Sequence, residues 1–240
     1  MRHAVLLILT ALGCLQLSAQ ISPVEQRILA AQKKVQSDPK SWQAYNELAF
    51  AFCRKGRDNP DIATYDRAQA ALDRSLQLSP GNYDAQKLQV TVRLGKQEFA
   101  EALKLATELN NRAHDDIGVW GLLVDCNMAL GNFAEAKRDA QWILDLRSGS
   151  SLGFEKAAGL RVHFADPEGA IEFYDEANRR ISANDADEHA WLLTQIASLQ
   201  LASGDLKQAE DRLAQALKLF PDSQLALALQ ARVRTAEARR

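Results

Sequence analysis

Between residues 117 and 146 the large and small apolar positions recur at steps of three and four. Trp120, Leu123, Val124, Asn127 and Leu130 fall on one face of a helix, and Phe133, Ala136, Ala140 and Ile143 fall on one face of a second. Leu130-Gly131-Asn132 separates the two runs, and Gly131 supplies the left-handed backbone that ends helices. The pattern predicts a helical hairpin. Its turn phrase, LGNFAEAKRDA at 130–140, returns in altered spelling as SGDLKQAEDRLAQAL at 203–217.

The alanine that anchors this phrase marks a fixed step along the chain. Ala68, Ala102, Ala136, Ala170 and Ala209 follow one another at intervals of 34, 34, 34 and 39 residues. A small or apolar residue stands seven places after each: Ser75, Leu109, Ile143, Ala177 and Ala216. Pro80 and Pro221 each fall twelve after their alanine. One hairpin cannot bury its own apolar face, so a fixed step of this size predicts hairpins stacked side by side.

These residues carry a family resemblance. The 34-residue step, with Tyr45, Leu48, Ala49, Phe52 and Gly56 in one unit and Trp120, Leu123, Gly131, Phe133 and Ala136 in another, resembles the tetratricopeptide repeat. The resemblance implies an all-α superhelix, a solenoid of about five hairpins. They run over roughly 42–81, 82–116, 117–150, 151–184 and 190–223, with a half-repeat at 24–39 before them and a capping helix at 223–240 after them. Several segments depart from the step. Arg57–Ala63 reads as an insertion of about seven residues in the first hairpin turn, Gly95–Phe99 as a second turn longer by about two, and Ser182–His189 as about five extra residues before the fifth unit. All three are expected to be surface loops, where added length is inexpensive. The fourth unit has Ala165 where the pattern favours Gly.

Composition narrows the class. Hydrophobic residues make up 47% and charged residues 25%, and the net charge is −2, which gives no clustered basic surface for nucleic acid. The chain opens with Arg2, an apolar run from Ala4 to Leu12 and small residues at Ser18 and Ala19. That order describes an export leader over 1–19, cleaved after Ala19, and the run is too short for a membrane span. A second reading stays open: Ala11-Leu12-Gly13-Cys14 resembles a bacterial lipobox, in which Cys14 is lipidated. Ala11 stands where that motif usually has Leu, Val or Ile, and the soluble exported form is the preferred reading. The mature chain is expected to have no transmembrane segment, to carry a net charge of −3 once Arg2 is lost, and to work in the periplasm or outside the cell, lipid anchoring being the alternative.

No catalytic chemistry stands out. His114, His163 and His189 have no metal-binding spacing, and Asp116 reads as a helix cap. Cys53 and Cys126 sit a whole unit apart, beyond disulfide reach, and are expected to be buried thiols. Ser148–Gly153 is Gly-rich without a preceding strand and reads as a linker, and the four tryptophans read as core. No catalytic residue, metal site or cofactor is expected.

The resemblance places a partner in the concave groove lined by the first helix of each unit. Positions away from the Leu/Ala packing face are the candidates: Asn46, Phe50, Arg54, Gln86, Val90, Arg93, Asp125, Met128, Lys156 and Thr194. Co-chaperone members of the family hold a C-terminal carboxylate with Lys and Asn where this chain has Asn46 and Phe50, so chaperone tails are not the expected ligand. A mixed groove suits an amphipathic or extended peptide. The expected function is a non-catalytic protein-binding scaffold of the bacterial periplasm or envelope. Its narrower alternative is a lipoprotein assisting envelope, secretion or pilus assembly. An enzyme or solute binder lacks a visible base or nucleophile. RNA binding, known among similar helical repeats, is opposed by the acidic balance and the leader.

Overall fold

The computed structural model describes residues 21–239; the leader and Cys14 lie outside the described residues. Helix follows helix, with no strand among the described residues. A single helix α1 (Pro23–Ser37) precedes five hairpins: α2 (Trp42–Asp58) with α3 (Ile62–Leu78), α4 (Tyr83–Gly95) with α5 (Phe99–Arg112), α6 (Ile117–Leu130) with α7 (Phe133–Leu146), α8 (Ser151–His163) with α9 (Pro167–Arg180), and α10 (Ala186–Ala202) with α11 (Leu206–Leu219). The chain ends in α12 (Gln224–Glu237). Each helix packs on the next, and the first helices α2, α4, α6 and α8 also meet in succession. This is an all-α solenoid of the tetratricopeptide type.

The repeat is visible at both ends of the first helices. Asn82, Asp116 and Ser150, 34 residues apart, are the N-caps of α4, α6 and α8, and each side chain accepts a backbone N–H from the first turn. Such caps contribute about 1 kcal/mol each. At the other end, the positive-φ residues among the described residues are Gln97, Gly131, Ala165 and Gly204, each five places before a marker alanine. The second hairpin turn is therefore of regular length, with Gln97 at the left-handed position rather than Gly95. Gly95 is needed for another reason: a Cβ there would run into the ring of Tyr65, which also crowds the same place on Gly56. The five alanines are fully buried, and so are the residues seven after each.

The other two departures from the repeat are only partly loops. The extra residues of the first unit lengthen α2 and α3 to 17 residues each, against 13 or 14 in α4 to α9. Those at Ser182–His189 supply a short turn and then the first turn of α10, also 17 residues long. Ser151, Leu152 and Gly153 likewise belong to α8 rather than to a linker.

The two lengthened regions meet. Arg57 on the added turn of α2 donates two hydrogen bonds to Glu188 of α10, at 2.8 and 3.2 Å, and its guanidinium lies 4.5 Å over the Trp191 ring. Arg54 donates to Asp187 at 2.6 Å and Asp185 at 2.7 Å, and pairs with Glu188 as well. Arg27 of α1 bonds Asp185 at 2.8 Å, and Asp58 accepts from Ser223 Oγ and from the backbone N–H of Gln224, capping α12. Beneath these groups one apolar cluster, including Val24, Phe52, Leu193, Phe220 and Val233, joins α1–α4 directly to α10–α12. The solenoid thus closes on itself, and its two ends share a core.

Candidate functional site

Closure brings all five first helices around one concavity of about 720 Å³. Its wall is apolar: Phe50 from α2, Leu88 and Leu94 from α4, Leu122 from α6, Leu152 from α8 and Leu192 from α10. Small residues shape the floor. Gly121 of α6 lets Leu152 come within 3.0 Å of where a Cβ would stand, which sets how closely α8 approaches. Tyr65 lies between Gly56 and Gly95 and adds its ring to the lining.

Charged groups form two clusters on this wall. Lys156 bonds both oxygens of Asp125, at 2.8 and 2.9 Å, and Glu155 at 2.9 Å. Burial alone would push the Lys156 ammonium down, but Asp125 and Glu155 outweigh it and hold the group charged. The second cluster is the seam, where Arg54, Arg57, Asp185 and Glu188 face the concavity. Burial, and then the neighbouring Arg54, lowers the Arg57 pKa to about 10. Cys53 also lines the site, but burial pushes its thiol up to about 12, so it is a poor nucleophile. Cys126, likewise free and buried, is raised to about 12. Among the described residues no group of three potential metal ligands converges.

Of the ten groove positions expected from sequence, Phe50, Arg54, Asp125 and Lys156 line the concavity. Three others are corrected by burial. Asn46 is inside, bonded to Ser75 and Asn82; Val90 is fully buried against α5 and α6; Thr194 is buried and returns its hydroxyl to the Ala190 carbonyl. Gln86 accepts from Arg112, Arg93 pairs with Glu98 and Met128 packs against the α6–α7 core, so none of them joins the wall. On α4 the concave wall is itself apolar, and Leu88 and Leu94 read like core, so the candidates Gln86, Val90 and Arg93 fall one or two positions away from it. Sequence reasoning misses the seam residues Arg57, Asp185 and Glu188 for a different reason: they sit in the segments that break the 34-residue step, and such segments read as loops. Trp142 also departs from the core reading, being 45% exposed and tilted against Trp120.

At the level of sequence, no family model and no curated protein matches the chain. Solved structures do. A thermophilic tetratricopeptide-repeat protein of Thermus thermophilus superposes with a TM-score of 0.66 at 18% identity, covering 82% of this chain and 100% of that one. A tetratricopeptide-repeat protein of Parabacteroides merdae gives 0.67 at 11% identity, covering 88% and 78%. PilW, described as a widely conserved type IV pilus biogenesis factor, gives 0.51 at 17% identity, covering 86% and 90%. These likenesses establish the tetratricopeptide-repeat fold for this chain.

Proposed function

We propose that the protein is a non-catalytic interaction scaffold that binds a peptide segment or partner helix in its closed concavity. The observation that carries this reading is the wall itself: five helices present apolar side chains to one cleft, and the cations there are tied to neighbouring carboxylates rather than poised for chemistry. Concave apolar surfaces with a few fixed polar groups are where ligands bind. The expected site of action is the bacterial periplasm or envelope, a reading supported by the leader pattern at residues 1–19. A narrower second reading is a lipoprotein assisting envelope, secretion or pilus assembly; the pattern at Ala11–Cys14 supports the lipid anchor, and the likeness to PilW, a pilus biogenesis factor, supports the pilus form. Labelling cells with radioactive palmitate separates the two, since the narrower form requires label on Cys14.

The groove itself is tested by replacing Phe50, which is 41% exposed and free of any role in the core, with Ser. Partners crosslinked to the native protein in intact cells should be lost from this variant while its melting temperature is kept. An unchanged set of partners would move the binding surface elsewhere.

A further inference from the structure

The charged groups on the concave wall differ in depth, and the two most exposed of them are carboxylates. The Lys156 side chain is 13% exposed, whereas Asp125, which it holds, is 40% exposed. Arg54 is 11% exposed, whereas its partner Asp185 is 34% exposed. Glu155 and Glu188 lie about as deep as Lys156 and Arg54, and Arg57 is about as exposed as Asp185, which leaves Asp125 as the most open charge on the wall. The cations are also committed. The three guanidinium nitrogens of Arg54 each meet a carboxylate, Arg57 grips Glu188 with two, and Lys156 is shared by Asp125 and Glu155.

Ligand charges meet these groups unequally. Among the described lining residues, an incoming carboxylate or phosphate finds each cation already paired, and it must first pass Asp125 and Asp185. An ammonium or guanidinium finds Asp125 at the surface, with lone pairs still open to a second donor. The leucines and Phe50 around it require the rest of the ligand to be apolar.

We infer that the occupant of the concavity is a short apolar peptide segment carrying one basic side chain, which pairs with Asp125 while its neighbours cover Phe50, Leu88, Leu122 and Leu152. This rests on the scaffold reading above and gives it a ligand class. The acidic face excludes acidic segments and free C-terminal carboxylates at this site.

The test uses a random display library of short peptides with blocked ends, selected on the whole protein. Peptides that bind the native chain and are lost on Phe50→Ser should be apolar, enriched in Lys or Arg and depleted in Asp and Glu. For a selected Lys-bearing peptide, Asp125→Asn should weaken binding about threefold to fivefold, the range of a single partly exposed ion pair. Its norleucine counterpart should change by less than about twofold, and Asp125→Glu should restore the Lys peptide. Raising salt from about 0.05 M to about 0.5 M should weaken the Lys peptide alone, a readout that needs no variant. Enrichment of acidic peptides, or an equal response of the Lys and norleucine peptides, overturns the charge inference and leaves the scaffold reading standing. If no peptide shows dependence on Phe50, the concavity is not a peptide site, and both readings fall.

Discussion

The middle of the solenoid and the seam where its ends meet are held by different forces. Between α5 and α9 the contacts repeat: Ala102, Ala136 and Ala170 let paired helices close up, and Leu109 and Ile143 fill the space behind them. At the seam an apolar base is roofed by Arg27, Arg54 and Arg57 facing Asp185, Asp187 and Glu188. The first pattern is written at a constant step and fixes how each hairpin leans on the next. The second is written in the two segments that break the step, and it decides whether the curve closes. Shape therefore has two sources here, regular packing for curvature and irregular insertions for closure.

The largest separation between the regions is expected from deleting one buried group in each. Ile143→Ala leaves a cavity that neighbours on both sides cannot fill, and should cost about 2–5 kcal/mol in urea unfolding. Arg54→Ala strips Asp187 and Glu188 of a buried partner, but the seam has an escape that the middle lacks: it opens and lets water reach the carboxylates. Its cost should therefore be local, a loss of about 2 kcal/mol of protection in the hydrogen exchange of α1 and α12, with α6 and α7 unchanged. Equal loss of protection along the whole chain would mean that closure and stacking are one cooperative unit.

Acid provides a milder way to divide the two. Burial pushes the Asp187 carboxyl up, but Arg54 and Arg27 more than offset this, and its pKa is lowered. A carboxyl lowered in the folded state stabilises the fold above its ordinary value near 3.9, and loses that contribution as pH falls through the depressed value. Asp139, buried on α7 and bonded by Asn127, has the opposite sign, because burial raises it. Its ionised form costs stability at neutral pH, and that cost disappears between its raised pKa and the ordinary one. Acidification from about pH 6 to about pH 2 should thus loosen the seam at Asp187 while relieving the middle at Asp139. The indole N–H resonances report this separately: Trp191, under Arg57, should shift toward a solvent-exposed position before Trp120, which donates to the His114 carbonyl. Simultaneous movement of both would erase the distinction.

The middle is legible in the sequence and the seam is not. Spacing alone predicts the helical hairpins, the buried alanines and the turn at Gly131, because packing at a constant step leaves a periodic trace. A break in period shows where something is added but not what the added residues touch. Arg57 and Glu188 are 131 residues apart, and no local pattern pairs them. The candidate site is half legible for a related reason. Charged residues on the concave wall, such as Asp125 and Lys156, stand out from core positions, whereas Leu88 and Leu122 on the same wall do not, since an apolar groove is spelled like an interior.

The smallest effect concerns the turns, and it sharpens the comparison from inside the regular region. Gly131 and Gly204 hold φ of 79° and 85°, and Ala165 is forced to 57° at the matching place of the fourth hairpin. A residue with a Cβ costs roughly 1–2 kcal/mol in this conformation. Glycine removes that strain but makes the unfolded chain freer by about 0.4–1 kcal/mol. Ala165→Gly should therefore stabilise the protein by about 0.5–1 kcal/mol, a rise of about 1–4 °C in melting temperature, and Gly131→Ala should lower it by a similar amount. Neither change reaches the seam, so the exchange of α1 and α12 through local opening should stay as it is. A destabilised Ala165→Gly protein would mean that the Ala165 methyl contributes more through packing than its backbone loses through strain, and that the fourth hairpin keeps alanine for that contact.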